Sequence, residues 1–223
     1  MMNNFVIKVF PASSAELSYE RDILNDVVGI INQVVKKNGV FVELHPWEFH
    51  DSSMGLTMKQ EEYTEELKNC DIAIVLFWRI LGEYTYNHEL KVAIERGRHG
   101  QKPYETYVLF KEDNPEEVTD QLRHYKQSFS DVLANSKNVH GASFTSGHSS
   151  NELKLLILLI FNNYLTKSGI HLLKEFRIVD TVIRGEFGRF LRVKYTNILN
   201  IDDQHISDKY KQQIIELVSS QDY

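Results

Sequence analysis

Residues 70 to 95 read CDIAIVLFWRILGEYTYNHELKVAIE, and this stretch reveals more about the architecture than any other part of the chain. Its segment 72–77 is apolar at every position, which is typical of a parallel strand covered on both faces. Thr85 or Asn87 is predicted to cap the following helix, whose opening turn carries Glu89. Because open α/β sheets bind ligands beyond the carboxyl ends of their strands, we expect Glu89 to face a solvent-reachable hollow there.

The rest of the chain alternates strands with helices, an order typical of βα crossovers and of a parallel sheet with helices on both faces. The predicted strands cover residues 5–10, where Pro11 ends the strand, and residues 40–44, 72–77, 104–110 and 139–144. Four other helices are predicted. The first is capped by Ser13 or Ser14 and closed by Gly39, and the second runs from Thr57 or Met58 to Asn69. The third is opened by Pro115 and runs toward Asn135, and the fourth covers residues 152–165 and is capped by Ser149 or Ser150. The sequence therefore predicts an α/β fold with a flavodoxin-like parallel sheet flanked by helices.

The pattern changes after residue 168. Residues 176–195 predict a β-hairpin around a Gly-containing turn, and residues 207–218 predict a final helix. This tail is too small for an independent core. We therefore expect an α/β domain at 1–168 and a small C-terminal α+β appendage at 169–223, which packs on the main domain, mediates assembly or links to a further region.

Composition narrows the possible partners. The 223-residue chain has a formal net charge of -6, and its Lys and Arg residues are scattered, so we expect no nucleic-acid partner. Its one cysteine, Cys70, fits a reducing cytoplasm and is interpreted as a small buried filler. The densest apolar run, 155–161, is far shorter than the roughly 18 residues of a membrane span, and the first residues lack a signal-peptide pattern. We expect a cytoplasmic protein without a membrane partner.

Several common site motifs do not occur in the sequence. None of the nine histidines has the HExxH spacing of a metal site, so we expect no metal. The patterns GxGxxG, GxxxxGK[ST] and GxSxG are also missing, which argues against a Rossmann dinucleotide site, a P-loop and a simple serine hydrolase.

Two blocks of the chain are similar to one known family. A first strand followed by Ser-Ser and a Glu-Arg pair on the next helix resembles the opening of TIR-like domains of signalling and defence proteins. The second block, an aspartate-led strand followed by Gly, Thr, Glu and a small residue, is also similar to that family. The matching positions are Ser13, Ser14, Glu20, Arg21, Asp71, Gly82, Thr85, Glu89 and Ala93. The resemblance covers roughly residues 5 to 165 and implies the same flavodoxin-like layout.

The resemblance implies an activity. Some TIR-like proteins cleave the N-glycosidic bond of NAD+ with a glutamate at the position of Glu89, and others are self-assembling adaptors without activity. We therefore expect an NAD+ glycohydrolase (an NAD+ nucleosidase) that uses NAD+ as substrate, needs no cofactor and self-associates through TIR–TIR contacts. The alternatives are a non-catalytic TIR-like interaction module and a nucleoside N-glycosidase or deoxyribosyltransferase. The Ser-Ser loop and the segment 45–55, HPWEFHDSSMG, depart from better-known catalytic members.

Glu89 is the predicted catalytic residue, and Gly82 and Thr85 join the predicted substrate-binding set through the resemblance. A single carboxylate suffices for this chemistry, because the nicotinamide of NAD+ is cationic and leaves neutral without a general acid. As a purely structural alternative, a carboxylate in a first helical turn gains up to about 1 kcal/mol from the helix dipole.

Four further residues complete the predicted substrate-binding set, and each has a structural alternative. Of Ser13 and Ser14, one is predicted to cap the helix and the other to meet a ribose hydroxyl or a phosphate. Trp78 is interpreted as an aromatic wall for adenine or nicotinamide, or as a core residue. Trp47 is interpreted as a pocket lid or as an assembly contact.

Overall fold

A computed structural model of the chain describes residues 5–45, 56–145, 151–170 and 172. The strands are β1 (Phe5–Ser13), β2 (Val40–Leu44), β3 (Ile72–Phe77), β4 (Glu105–Lys111) and β5 (Val139–Phe144). The α-helices are α1 (Ser18–Val35), α2 (Leu56–Asn69), α3 (Lys91–Arg98), α4 (Asp120–Ala134) and α5 (Asn151–Thr166). Trp47, Ser149, Ser150 and the predicted tail, apart from residues 169, 170 and 172, lie outside the described residues.

The strands form one five-stranded parallel sheet in the order β2-β1-β3-β4-β5, flanked by helices. This order is that of flavodoxin-like folds, so the predicted fold class is confirmed. β3 lies at the centre, with Ile72 opposite Val9 of β1 and opposite Glu105 of β4. Every residue of β3 is buried, as its unbroken apolar sequence predicts.

The chain divides into two compact units. One comprises Met1–Phe5, Tyr19–Phe41 and Phe144–Tyr223, and among its described elements it holds α1 beyond Ser18 and α5. The other comprises Val6–Ser18 and Val42–Ser143, and it holds most of the sheet together with α2, α3 and α4. All residues discussed below as a site belong to this second unit, which we call the sheet unit.

One buried cluster joins a face of the central strands of the sheet unit to its helices. Alternate residues of β3 point into it, because side chains alternate across a strand. The contributions from the strands are Phe10, Ala12, Ala73, Val75, Phe77, Val108 and Phe110, and those from the helices include Leu67, Leu90, Ala93, Ile94, Leu122, Tyr125 and Phe129. This packing fixes the carboxyl ends of β3 and β4 against α4.

The prediction that β1 ends at Pro11 is wrong, because β1 continues to Ser13. The backbone N–H of His45, the residue after β2, donates to the Val9 carbonyl at 2.9 Å. In a parallel ladder the next donor would be the N–H of residue 11, which proline lacks, so the pairing of β1 with β2 does not continue past this bond. On its other side Pro11 keeps the register of β1, opposite Ile74.

Pro115 opens a short 3-10 turn, Pro115–Glu117, instead of the first turn of the long helix. The helix α4 begins at Asp120, after Thr119. The Thr119 hydroxyl accepts a hydrogen bond from the Leu122 N–H at 3.4 Å, as a helix cap does. The predicted end near Asn135 is confirmed.

The start of β3 is held by two contacts of Asp71. Its buried carboxylate accepts the backbone N–H of Lys8 at 2.8 Å and pairs with the Lys102 ammonium at 2.7 Å. The neighbouring Cys70 is buried, and burial raises the pKa of its thiol to about 12. Its predicted place as a buried filler is confirmed, and a protonated thiol is a poor nucleophile.

No helix among the described residues is long and apolar enough to span a membrane.

Candidate functional site

Glu89 lies in an unusual turn of the helix that follows β3. The chain is helical from Glu83, and residues Thr85–Leu90 form a π-helical turn that leads into α3. The Tyr86 N–H donates to the Gly82 carbonyl at 2.9 Å, an i to i−4 bond that starts the helix before Thr85. The predicted cap at Thr85 or Asn87 is therefore wrong, and Glu89 does not belong to the opening turn.

The carboxyl of Glu89 is removed from water. The residue is 5% exposed, which contradicts the expectation that it faces a solvent-reachable hollow. Burial raises its pKa to about 7, and a hydrogen bond from the Thr85 side chain acts in the opposite direction. No lysine, arginine or histidine of the described residues contributes to this shift. Glu89 is therefore a carboxyl that titrates near neutrality because it lacks solvation.

Two tyrosines lie within the field of this carboxyl. The pKa values of Tyr63 on α2 and of Tyr84 are raised, mainly by burial, and the negative charge of Glu89 adds to both shifts. The Tyr84 and Thr64 hydroxyls are 3.0 Å apart, which joins the start of this helix to α2. Two tyrosines are thus close enough to Glu89 for its charge to affect them, and neither they nor Thr64 could be predicted as neighbours from the sequence.

Ser13 and Ser14 lie where β1 ends. Ser13 is buried at the last position of the strand, opposite Leu76 of β3. Ser14 occupies the cap position of a 3-10 turn, but its hydroxyl donates to the Glu16 carboxylate at 3.1 Å and makes no cap bond. The same carboxylate accepts the backbone N–H of Arg79 at 3.2 Å, which ties together the loops after β1 and β3.

Trp78, the first residue after β3, is held on several sides. Its indole N–H donates to the Asp113 carbonyl at 2.9 Å. The Arg79 guanidinium lies 3.7 Å from the centre of its ring and the Lys111 ammonium 3.8 Å. Because cations already cover this ring, the predicted stacking of a nucleobase on Trp78 would have to displace one of them.

A cavity of about 380 Å³ opens beyond the carboxyl ends of β3 and β4. Apolar walls are formed by Phe110, Val118 and Leu122, and Trp78 lines it as well. Its charged lining residues are Lys111, Glu112, Arg123 and Lys126. Among the predicted site residues that the structure describes, Trp78 lines the cavity, whereas Ser13, Ser14, Gly82, Thr85 and Glu89 do not.

The remaining positions of the family resemblance are buried, apart from Gly82, which is partly exposed. Glu20 and Arg21 are buried residues of α1, and Ala93 is a core residue of α3. Gly82 supplies the carbonyl that starts the helix of Glu89, and Thr85 bonds to Glu89 itself. The described residues contain no group of three His, Cys, Asp or Glu side chains that could hold a metal ion.

Neither a protein-family model nor a curated protein matches this chain. Solved structures similar to this chain include the following two. A flavodoxin of Streptococcus pneumonia TIGR4 is 13% identical, with 69% of this chain and 94% of that chain covered and a TM-score of 0.37. RosB, solved with the bound intermediate OHC-RP, is 12% identical, with 74% and 82% covered and a TM-score of 0.35. At such identities the likeness concerns the fold alone.

Proposed function

We propose that this protein is a TIR-like NAD+ glycohydrolase in which Glu89 is the catalytic carboxylate. The observation that carries the proposal is a buried carboxyl, with a pKa of about 7, in a π-helical turn beyond the central strand. Strongly perturbed carboxyls and π-helical turns both occur preferentially at functional sites. Activity as a self-associating defence or signalling effector is the biological role that goes with the resemblance.

The chemistry suits a lone carboxylate. Cleavage breaks the bond between C1′ of the ribose and the nicotinamide nitrogen, and the bonding electrons leave with the nicotinamide, which becomes neutral. Water then adds to C1′ and loses a proton, which gives ADP-ribose. A negative group beside the oxocarbenium-like transition state stabilises its positive charge, and no acid is needed for the leaving group.

A cationic ligand would favour the ionised form of Glu89, and because this residue is only 5% exposed, the proposed cleavage requires the packing over it to open when NAD+ binds. Ionising this carboxyl is costly because it is buried, and the Thr85 hydroxyl offsets only part of that cost. The pyridinium of NAD+ carries a positive charge that would lower the pKa of Glu89 and hold it ionised. In this proposal substrate binding and activation of the carboxylate are therefore coupled.

The direct test measures nicotinamide release from NAD+ by chromatography. We expect concentrated wild-type protein to release nicotinamide and Glu89→Gln to release at least about 100-fold less, as typical for loss of electrostatic stabilisation in a transition state. Glu95→Gln is the matched control, because Glu95 is an exposed carboxylate on α3 that pairs with His99. The control is expected to retain wild-type activity.

Two further outcomes separate the alternatives. If self-association activates the protein, the rate per subunit rises with protein concentration. Wild-type protein that releases no nicotinamide even when concentrated or artificially clustered would contradict the proposal and favour the non-catalytic module. Release of free base from deoxynucleosides, with NAD+ left intact, would favour the nucleoside-processing enzyme.

A further inference from the structure

The cavity beyond β3 and β4 has the features of a ligand site that is separate from Glu89. Its volume of about 380 Å³ lies in the range of roughly 300–1,000 Å³ that is common for small-molecule sites. It lies at the carboxyl edge of the parallel sheet, the edge at which open α/β folds bind ligands, beyond β3 and β4 and beside the β1–β3 point where the strand order reverses. Its apolar walls lie next to charged groups, a combination that suits an amphiphilic small molecule.

The apolar part of the cavity is rigid. The Phe110 ring stacks on Phe77 at 5.9 Å between centres and meets the Phe129 ring edge-on at 5.6 Å. Leu122 is buried on α4. Phe110 is 5% exposed and the Lys126 ammonium lies 5.6 Å from the centre of its ring, so Phe110 offers a ligand a small, fixed apolar contact beside Val118 and Leu122.

The charged part of the cavity is mainly positive. Three cations, Lys111, Arg123 and Lys126, line it against one carboxylate, Glu112. The side chain of Lys111 is only 9% exposed, and the Asp113 carboxylate that pairs with it lies 3.6 Å away. A buried ammonium loses much of its solvation, so an anion beside it gains more than it would at the surface.

The two cations on α4 can also turn to a ligand. Arg123 pairs with Asp120 and also donates to the Pro115 carbonyl, each at 3.0 Å, and Lys126 pairs with Glu112 at 2.6 Å. Asp120 is 87% exposed, and ion pairs of that kind contribute about 1 kcal/mol or less. Both cations lie in the first two turns of α4, whose positive dipole end also favours an anion.

We propose that this cavity binds an aromatic ring that carries a phosphate, of the size of a nucleoside monophosphate. The aromatic part would lie against Phe110 and the aliphatic wall, and the phosphate would meet Lys111 and the cations of α4. Three cations suit a doubly charged phosphate better than a singly charged carboxylate. This site goes beyond the proposed NAD+ cleavage and does not involve Glu89.

The test is calorimetric titration of the full chain with AMP, adenosine and inorganic phosphate. The Glu89→Gln variant is used throughout, so that catalysis plays no part. We expect AMP to bind at least about tenfold more tightly than adenosine or phosphate, because only AMP uses both parts of the cavity. Lys111→Met in this background is expected to weaken AMP binding roughly tenfold, the effect of losing one charged hydrogen bond.

Lys68→Met is the matched control, because Lys68 lies on α2, pairs with Glu65 and does not line the cavity. If Lys111→Met fails to fold, as judged by circular dichroism, Lys126→Gln replaces it, because the Lys126 side chain is 41% exposed. Its loss should weaken AMP binding about threefold or more. Absent AMP binding, or equal AMP affinity in the control and in the cavity variants, would overturn the proposal.

These outcomes are independent of the proposed activity. A protein that binds AMP in this way but cleaves no NAD+ would support the cavity site and contradict the glycohydrolase. A protein that cleaves NAD+ but lacks this AMP site would support the glycohydrolase and contradict the cavity site.

Discussion

The substitution Glu89→Gln should make the protein more stable, by an amount that depends on pH. Burial raises the pKa of Glu89 from its ordinary 4.5 to about 7 in the folded protein. At about 1.4 kcal/mol per pH unit, this displacement corresponds to about 3 kcal/mol of folding free energy. Glutamine keeps the shape of the side chain and can still bond to Thr85, but it cannot ionise.

The sign follows from the two states of the chain. Below pH 4.5 Glu89 is protonated in both the folded and the unfolded protein, so its ionisation costs nothing. Between pH 4.5 and about 7 the unfolded chain releases the proton more readily, and the wild type loses stability as pH rises. Above about pH 7 the loss is complete. Relative to wild type, Glu89→Gln should therefore gain nothing in acid and about 3 kcal/mol above neutrality.

Urea unfolding of both proteins, at several values from about pH 4 to about pH 8, measures this difference. Groups that titrate identically in the two proteins cancel, so the slope of the difference belongs to Glu89. Glu95→Gln is the control, because Glu95 is exposed and its substitution should give a difference that stays small across the range. A Glu89→Gln difference that is flat with pH, or that shrinks as pH rises, would refute a buried carboxyl with a raised pKa.

Three more predictions follow from single contacts. If the carboxylate form of Glu89 cleaves NAD+, a pH–rate profile should show kcat/KM of the free enzyme falling below about pH 7. Thr85→Val should move the midpoint of this profile to higher pH, whereas Thr85→Ser should leave it unchanged. Asp71→Asn should lower the free energy of unfolding in urea by about 2 kcal/mol, because its buried carboxylate binds the backbone of β1 and the Lys102 ammonium. An unchanged free energy of unfolding would mean that these contacts contribute nothing. Gly141→Ala should lower the free energy of unfolding by about 1–3 kcal/mol, since its new methyl group would lie 2.7 Å from the Phe129 ring, whereas Gly29→Ala, in open space on α1, should raise it by about 0.5–1 kcal/mol. Thermal melts that reverse this order would contradict the packing.

The sheet could be predicted from the sequence because its strands are short, apolar and separated by helices. The central strand, Ile72–Phe77, was predicted at its observed bounds, since a short unbroken apolar run followed by a polar loop is typical of a strand buried on both faces. The extension of β1 through Pro11 could not be predicted, because it depends on pairing with β3, a strand distant in sequence. Pro11 turns its missing donor toward β2, so the pairing with β3 continues to Ser13.

The helix of Glu89 shows a second limit. Thr85 and Asn87 are common capping residues, and local preference placed the start of the helix there. In the structure the Gly82 carbonyl begins the helix earlier, and the Thr85 hydroxyl bonds to Glu89. A π-helical turn cannot be read from a hydrophobic period of 3.6 residues, because it shifts every later side chain around the helix.

That shift bears on the chemistry. In a regular helix Leu90, Ala93 and Ile94 would share one face, and the preceding carboxyl would be expected near its solvated edge. The π-helical turn keeps these three residues in the core and buries Glu89 as well. Leu90 follows Glu89 directly in the turn and is fully buried, so the carboxyl lies beside the core and not at a solvated helix start. This burial accounts for both the mistaken expectation of an open carboxyl and the pKa of about 7.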